Sequence, residues 1–215
     1  MSYKLELLRR ALEHNVLKFG TFTLKSGRKS PYFFNSGNFT HGADLCALAE
    51  AYAETIIAMN VDFDVIFGPA YKGISLAAIT AVKLYEKTGK SYGFAYNRKE
   101  AKSHGEGGNL VGAEMEGKKV LLLDDVITAG TAIREAISFL EPKHVKLAGI
   151  VLLLDRQERL DPEVNESTIG RLKKELNLPV SSILTLDDIV DFTKSDLTAA
   201  ESKAMDAYRQ QYQAK

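Results

Sequence analysis

The 215-residue sequence has one cysteine, no tryptophan and only five prolines. A lone cysteine permits no internal disulfide and no cysteine-based zinc cluster, which removes stapled secreted scaffolds and zinc fingers. Cys46 lies in an apolar-periodic stretch and reads as a small buried side chain rather than a nucleophile. Long apolar runs are also missing: Gly73–Val82 and Leu147–Leu154 are far too short to cross a bilayer. Neither charge sign is in excess, because 28 Lys+Arg balance 28 Asp+Glu. A chain that coats nucleic acid or an anionic membrane carries a basic surplus, so any positive patch here must be local. The opening residues MSYKLELLRR mix both signs and lack the apolar run of a signal peptide. The expectation is a soluble cytoplasmic protein, with no membrane and no nucleic-acid partner.

What is present is globular composition, 45% hydrophobic and 26% charged, at a length that suits one domain. Leu5, Leu8 and Leu12 share one face of an opening helix. Residues 19–35 read as short strands around the turn signal Ser26-Gly27-Arg28-Lys29. Leu45, Leu48, Tyr52, Ile56 and Met59 follow at helical spacing. A strand (63–67), a helix (73–87) and a strand (92–96) come next. Residues 97–113 then break every period, with four glycines and few apolar side chains. A long loop inside a compact domain is usually functional or disordered.

Beyond it, Lys119–Leu123 and Leu147–Leu154 are near-continuous apolar strands, as when both sheet faces are covered. Ile133, Ala136, Ile137 and Leu140 mark the helix between them. A helix with Ile169, Leu172 and Leu176 leads to a last strand near Ser181–Leu184. Thr198-Ala199-Ala200-Glu201 is a capping box opening a C-terminal helix with Met205, Tyr208 and Tyr212. Alternation of this kind implies an α/β fold with a central, mostly parallel sheet flanked by helices. The chain reads as a single domain, 1–215, with a small N-terminal hood from about 1–40 and a lid loop at 97–113.

Three phosphate-loop and dinucleotide lookalikes fail. Leu84 stands where the Walker glycine before Gly89-Lys90-Ser91 belongs. Lys119 replaces the Ser/Thr after Gly112 to Gly117-Lys118, and Leu110 takes the last glycine position after Gly105-Glu106-Gly107. The strong signal is Val120-Leu-Leu-Leu-Asp124-Asp125-Val126-Ile127-Thr128-Ala129-Gly130-Thr131-Ala132. An apolar strand ends in two adjacent acids, and a short Thr/Gly loop opens a helix. Ligands of open α/β sheets sit beyond the carboxyl ends of strands, where Asp124 and Asp125 fall. Gly130 allows close backbone approach, and free N–H groups over 128–131 at a helix N-terminus attract phosphate. Helix capping would explain one acid and not both. A sugar with vicinal hydroxyls bridges two carboxylates beside a phosphate cradle, and Mg²⁺ can neutralise the remaining charge.

This stretch resembles the 5-phosphoribosyl-1-pyrophosphate (PRPP) signature of the type I phosphoribosyltransferases. The segments 19–35, Phe67-Gly-Pro-Ala-Tyr71-Lys72-Gly73, 97–108 and Leu154-Asp155-Arg156-Gln-Glu are similar to the orotate phosphoribosyltransferase family, roughly over positions 15–160. The resemblance implies transfer of a phosphoribosyl group from PRPP to orotate, with Mg²⁺ as cofactor carried by PRPP near Asp124 and Asp125 and no direct protein ligand. It places Lys25, Tyr71, Lys72, Arg98, Lys99, Lys102 and His104 on PRPP, together with Asp124, Asp125 and residues 126–132 (Val126, Ile127, Thr128, Ala129, Gly130, Thr131, Ala132).

By the same resemblance, catalytic roles would fall to Lys102, His104, Asp124 and Asp125. Phe33, Phe34, Thr128 and Arg156 would bind orotate, although strand neighbours such as Phe33 and Phe34 point to opposite faces. The resemblance further implies a homodimer with shared sites, Lys102 and His104 coming from the neighbouring subunit. A purine-type phosphoribosyltransferase and a PRPP-sensing regulator are the alternatives; Arg156, suited to a carboxylate, argues against the first and the intact lid against the second. His14, His41 and His144 have no acidic or histidine partner at ligand spacing and read as surface or capping residues.

Overall fold

The structure, a computed structural model, describes residues 2–24, 27–100, 109–127, 130–159, 161 and 163–214. Helix α1 (Tyr3–Glu13) leads into an antiparallel hairpin of β1 (Leu17–Thr23) and β2 (Lys29–Phe34). A 3₁₀ turn at Ser36–Asn38 connects it to α2 (Gly42–Met59). Then follow β3 (Val65–Gly68), α3 (Lys72–Thr88), β4 (Gly93–Asn97), β5 (Leu110–Gly112) and β6 (Lys119–Val126). The chain continues through α4 (Thr131–Leu140), β7 (Lys146–Asp155), α5 (Thr168–Leu176), β8 (Val180–Thr185), α6 (Leu186–Thr193) and α7 (Ala199–Tyr212). No helix among the described residues is long and apolar enough to cross a membrane.

The six-stranded sheet has the order β5-β4-β3-β6-β7-β8. Every pairing is parallel except that of the short edge strand β5. The apolar runs are explained by period 2 across two covered faces. Leu121, Leu123, Val151, Leu153 and Ile66 enter one core, while Val120, Leu122, Ile150, Leu152, Val65 and Phe67 enter the other. Helices α1, α2, α3, α6 and α7 and the hairpin cover the first face; α4 and α5 cover the second.

Several expectations need adjustment. The buried face of α1 is Leu7, Leu8 and Ala11, and Leu5 is exposed, because the hairpin and α2 approach from one residue further round. Cys46 is exposed, so the apolar stripe of α2 runs beside it through Leu48, Tyr52 and Ile56. Strand β6 runs on through Asp124, Asp125 and Val126, with Asp124 and Val126 still paired to β7. Helix α6 was not anticipated; it opens with a capping box in which Thr185 and Asp188 cap each other's backbone. The box expected at Thr198 and Glu201 is present. Residues 97–113 include the strand β5, and 101–108 lie outside the described residues.

Candidate active site

The sheet order places β3 between β4 and β6, so the chain leaves β3 in one direction and returns on the other side. That switch point opens a crevice beyond the carboxyl ends of β3 and β6. A cleft of about 550 Å³ lies there, lined by Tyr71 and Lys72 after β3, Arg98 and Lys99 after β4, and Asp124 and Asp125 on β6. Four cations or donors thus share one cavity with the paired acids and, from α4, Glu135. The sequence places these groups up to 54 residues apart (Tyr71 to Asp125); parallel strands bring them together.

The two acids are held differently. The Tyr52 hydroxyl donates to the Asp124 carbonyl (2.8 Å), and the Asp125 N–H donates to Asp124 Oδ1 (2.9 Å). Burial and the neighbouring Asp125 charge raise the Asp124 carboxyl from 3.8 to about 6, against the pull of the Asp125 N–H and Lys72. Asp125 Oδ2 accepts from Lys72 Nζ at 2.7 Å and from the Ser36 hydroxyl at 2.8 Å. Lys72 Nζ also reaches Ser36 Oγ at 3.2 Å. One lysine therefore serves two adjacent acids, and the more buried acid lacks a full counter-charge.

The β3–α3 turn is shaped by close backbone approach. A Cβ on Gly68 would lie 1.9 Å from the Gly73 carbonyl oxygen, and one on Gly73 would lie 2.7 Å from Pro69 Cδ. Only glycine fits at either position, which lets α3 start hard against β3 and presents Tyr71 and Lys72 to the crevice. The Ala70–Tyr71 peptide is cis. Asn97 Oδ1 accepts the Ala70 N–H at 2.9 Å, tying β4 to this turn. Tyr71 is 69% exposed, and Lys99 Nζ sits 5.1 Å from its ring centroid. The Arg98 N–H donates to the Asn109 carbonyl at 2.6 Å, joining the two ends of the segment that holds Lys102 and His104. Lys102 and His104 themselves lie outside the described residues, as do Lys25, Thr128 and Ala129.

Of the remaining signature residues, Val126 and Ala132 line the cleft. Ile127 is buried and packs in the core with Ile133. Gly130 precedes α4 with φ +79, so its backbone conformation is the requirement, since an added Cβ would meet only ordinary contacts at 3.6 Å or more. Thr131 begins α4, whose N-terminus presents its free N–H groups at this end of the sheet.

The pocket residues divide. Phe34 is buried in the core, while Phe33 is 39% exposed and stacks on Phe22 at 5.5 Å between centroids, as strand alternation requires. Arg156, expected from the resemblance to meet the orotate carboxylate, is buried and does not line the 550 Å³ cleft. Its Nε donates to Glu158 at 2.7 Å, its Nη2 to Ser30 Oγ at 3.2 Å and to the Tyr208 hydroxyl at 3.3 Å. The guanidinium also lies 4.3 Å from the Tyr32 ring centroid. It joins β2, β7 and α7, meeting β2 near the turn end of the hairpin. Tyr208 donates in turn to Glu158 at 2.6 Å, and burial together with that carboxylate raises its hydroxyl to about 12.

Sequence reasoning missed Ser36, Tyr52, Asn97 and Glu135, of which Glu135 lines the cleft from α4. Asn97 sits inside a segment quoted for its neighbours, Ser36 falls one residue beyond another, and nothing in spacing marks Tyr52 apart from its core stripe. The histidine reading holds in that His41 is the exposed N-cap of α2, but His14 and His41 do have an acidic partner. His14 and His41 both face the Asp44 carboxylate, at 3.4 and 3.6 Å. They lie 27 residues apart in sequence (14 to 41), so no local spacing could pair them. His144 does cap, closing a 3₁₀ turn at φ +52.

Residues 36–173 match the phosphoribosyl transferase domain family. The chain is 49% identical over 217 residues to the orotate phosphoribosyltransferase of Yarrowia lipolytica, covering 100% of this chain and 99% of that one. It is 48% identical over 212 residues to that of Stutzerimonas stutzeri, covering 98% of each. Among solved structures, the orotate phosphoribosyltransferase of Francisella tularensis superposes with a TM-score of 0.86 at 43% identity, over 97% of this chain and 99% of that one. Paired acids at the switch point, basic groups opposite them and full-length likeness at this identity agree: the chain belongs to the orotate phosphoribosyltransferase family.

Proposed function

We propose that this cleft transfers the 5-phosphoribosyl group from PRPP to orotate, giving orotidine 5′-monophosphate and pyrophosphate in pyrimidine biosynthesis. The observation that carries the reading is the convergence of Tyr71, Lys72, Arg98 and Lys99 opposite Asp124 and Asp125 in one cavity. Displacement at the anomeric carbon develops positive charge on the ribose and negative charge on the departing pyrophosphate, so positioned charge does most of the work.

Asp124 and Asp125 accept the vicinal ribose hydroxyls and face the developing cation. Hydroxyl donors suit Asp124, whose carboxylate is under-compensated in the free protein. The α4 N-terminus, through residues 128–131, takes the 5-phosphate. Lys72, Arg98 and Lys99 take the pyrophosphate. As phosphate draws Lys72, its contact with Asp125 loosens, and Ser36 stays to orient that carboxylate. The residues present fit Mg²⁺, since two neighbouring carboxylates share one lysine and oxygen donors are what this ion takes. When bound with PRPP, the ion supplies Lewis-acid charge neutralisation at the pyrophosphate. Orotate is an anion and already nucleophilic, so no general base is assigned.

In this reading Lys102 and His104 close over the pyrophosphate from the neighbouring subunit of a homodimer. Exposed apolar side chains on α2 and α3, Ile57, Val82 and Tyr85, support a covered face. Lys102→Ala and Asp125→Asn, each nearly inactive alone, should regain activity when mixed, because a heterodimer holds one undamaged site. Absence of recovery after demonstrated subunit exchange would reject sharing.

Pyrophosphate release from PRPP and Mg²⁺ tests the substrate, with orotate, uracil, hypoxanthine and adenine in parallel. Release with orotate alone is expected. Preference for a purine would overturn the base assignment, and silence with every base despite PRPP binding would overturn the reaction.

A further inference from the structure

We propose that His14, His41 and Asp44 form a binding site for a divalent cation of the zinc class, separate from the phosphoribosyl cleft. His14 follows α1, His41 precedes α2, and Asp44 lies in the first turn of α2 with no exposed surface. One nitrogen from each imidazole and one Asp44 oxygen all lie within 4.8 Å of one another. His14 Nε2 is 3.4 Å from Asp44 Oδ1, and His41 Nδ1 is 3.6 Å from Asp44 Oδ2. Tetrahedral zinc with bonds of roughly 2.0–2.1 Å spaces its ligand atoms about 3.3–3.4 Å apart, so the three atoms, within 4.8 Å of one another with the imidazoles now on different Asp44 oxygens, complete the set by side-chain rotation toward a shared oxygen. The His41 side chain is 71% exposed, which leaves an approach from solvent and a fourth position for water.

The other contacts of these groups are long for hydrogen bonds. Arg10 Nη1 reaches Asp44 Oδ1 at 3.3 Å, but its Nε is anchored on Glu6 at 2.7 Å. The His41 N–H meets Asp44 Oδ2 at 3.4 Å, and Thr40 Oγ1 lies 3.3 Å from His41 Nδ1. Two imidazoles and one carboxylate select a borderline ion such as Zn²⁺ over Mg²⁺, which takes oxygen donors. The consequence is structural. The ion would join the end of α1 to the start of α2, beside the bonds from Asn35 to Val16 and from Asn38 to Asn15. Those same residues flank Ser36, which orients Asp125.

Untagged protein carrying Cys46→Ser, to remove the exposed thiol on α2, is titrated with Co²⁺ in excess Mg²⁺. The expected result is uptake of one ion per chain with four-coordinate absorption bands, displaced by Zn²⁺, and a melting temperature that rises with Zn²⁺. His14→Ala and His41→Asn should each weaken binding by more than the roughly 10–100-fold that loss of a mere outer-shell partner costs. Asparagine keeps the helix cap at position 41, and orotate-dependent pyrophosphate release reports intact folding. His144→Ala should bind as the parent does. Uptake that survives the double variant, or none in the parent, would overturn the site.

Discussion

Asp124→Asn is expected to yield a more stable and almost inactive protein. The Asp124 carboxyl is raised from 3.8 to about 6 in the folded chain, first by burial and then by Asp125. Below about pH 4 both folded and unfolded chains hold the proton and nothing is lost. Between about pH 4 and pH 6 the unfolded chain ionises first, so the folded state binds more protons and stability falls as pH rises. Above that window the charge costs on the order of 3 kcal/mol. Asparagine removes the charge at nearly equal volume, and its oxygen still accepts the Asp125 N–H. Thermal unfolding near neutral pH should show a melting temperature roughly 5–10 °C above the parent, with the gap closing toward pH 4. Turnover should fall by about 10²–10³-fold, the scale for losing a group aimed at developing charge. A variant no more stable than the parent at neutral pH, or one within tenfold of its turnover, would contradict the account of this carboxylate.

The second large effect is expected at Arg156. Removing its guanidinium leaves the Glu158 carboxylate, only 14% exposed, without its 2.7 Å partner and with the longer 3.4 Å contact to Arg28 Nη1, and leaves Tyr208 and Ser30 with a lost donor. Breaking a buried pair from one side costs about 3–5 kcal/mol, or a fall of roughly 10 °C in melting temperature. Arg156→Ala should therefore be destabilised in the absence of any substrate. The double variant Arg156→Ala/Glu158→Gln should recover a measurable part, because the stranded charge is gone. If Arg156 served only to meet orotate, the free protein would melt unchanged, and the structural role assigned here would fail. Orotate KM, measured on Arg156→Lys, then separates pocket contact from the pin between β2, β7 and α7.

Local features were legible because their physics is local. The apolar period of β6 and β7, the Gly130 loop opening α4 and the capping box at Thr198 each depend on neighbours within a few residues. The motif from Val120 to Ala132 is continuous along the chain, so the paired acids at the end of β6 and the start of α4 could be read directly. Strand alternation by itself also separates Phe33 from Phe34.

Three things depended on tertiary packing. The charge and N–H of Asp125 act on Asp124 from the next residue, but its burial, its hold on Tyr52 of α2 and the nearby Lys72 of α3 come from elements distant in sequence. Arg156 followed a recognisable motif, yet its partners Ser30, Tyr32 and Tyr208 come from the hairpin and the last helix, which meet only when the first core closes. His14 and His41 converge on Asp44 because the Ser36–Asn38 turn folds the chain back beside the end of α1. A sequence encodes what each side chain can do and the period on which it recurs. Which charges share a cavity, and which are buried, follows from the order of strands in the sheet, and that order is a property of long-range closure rather than of any local run.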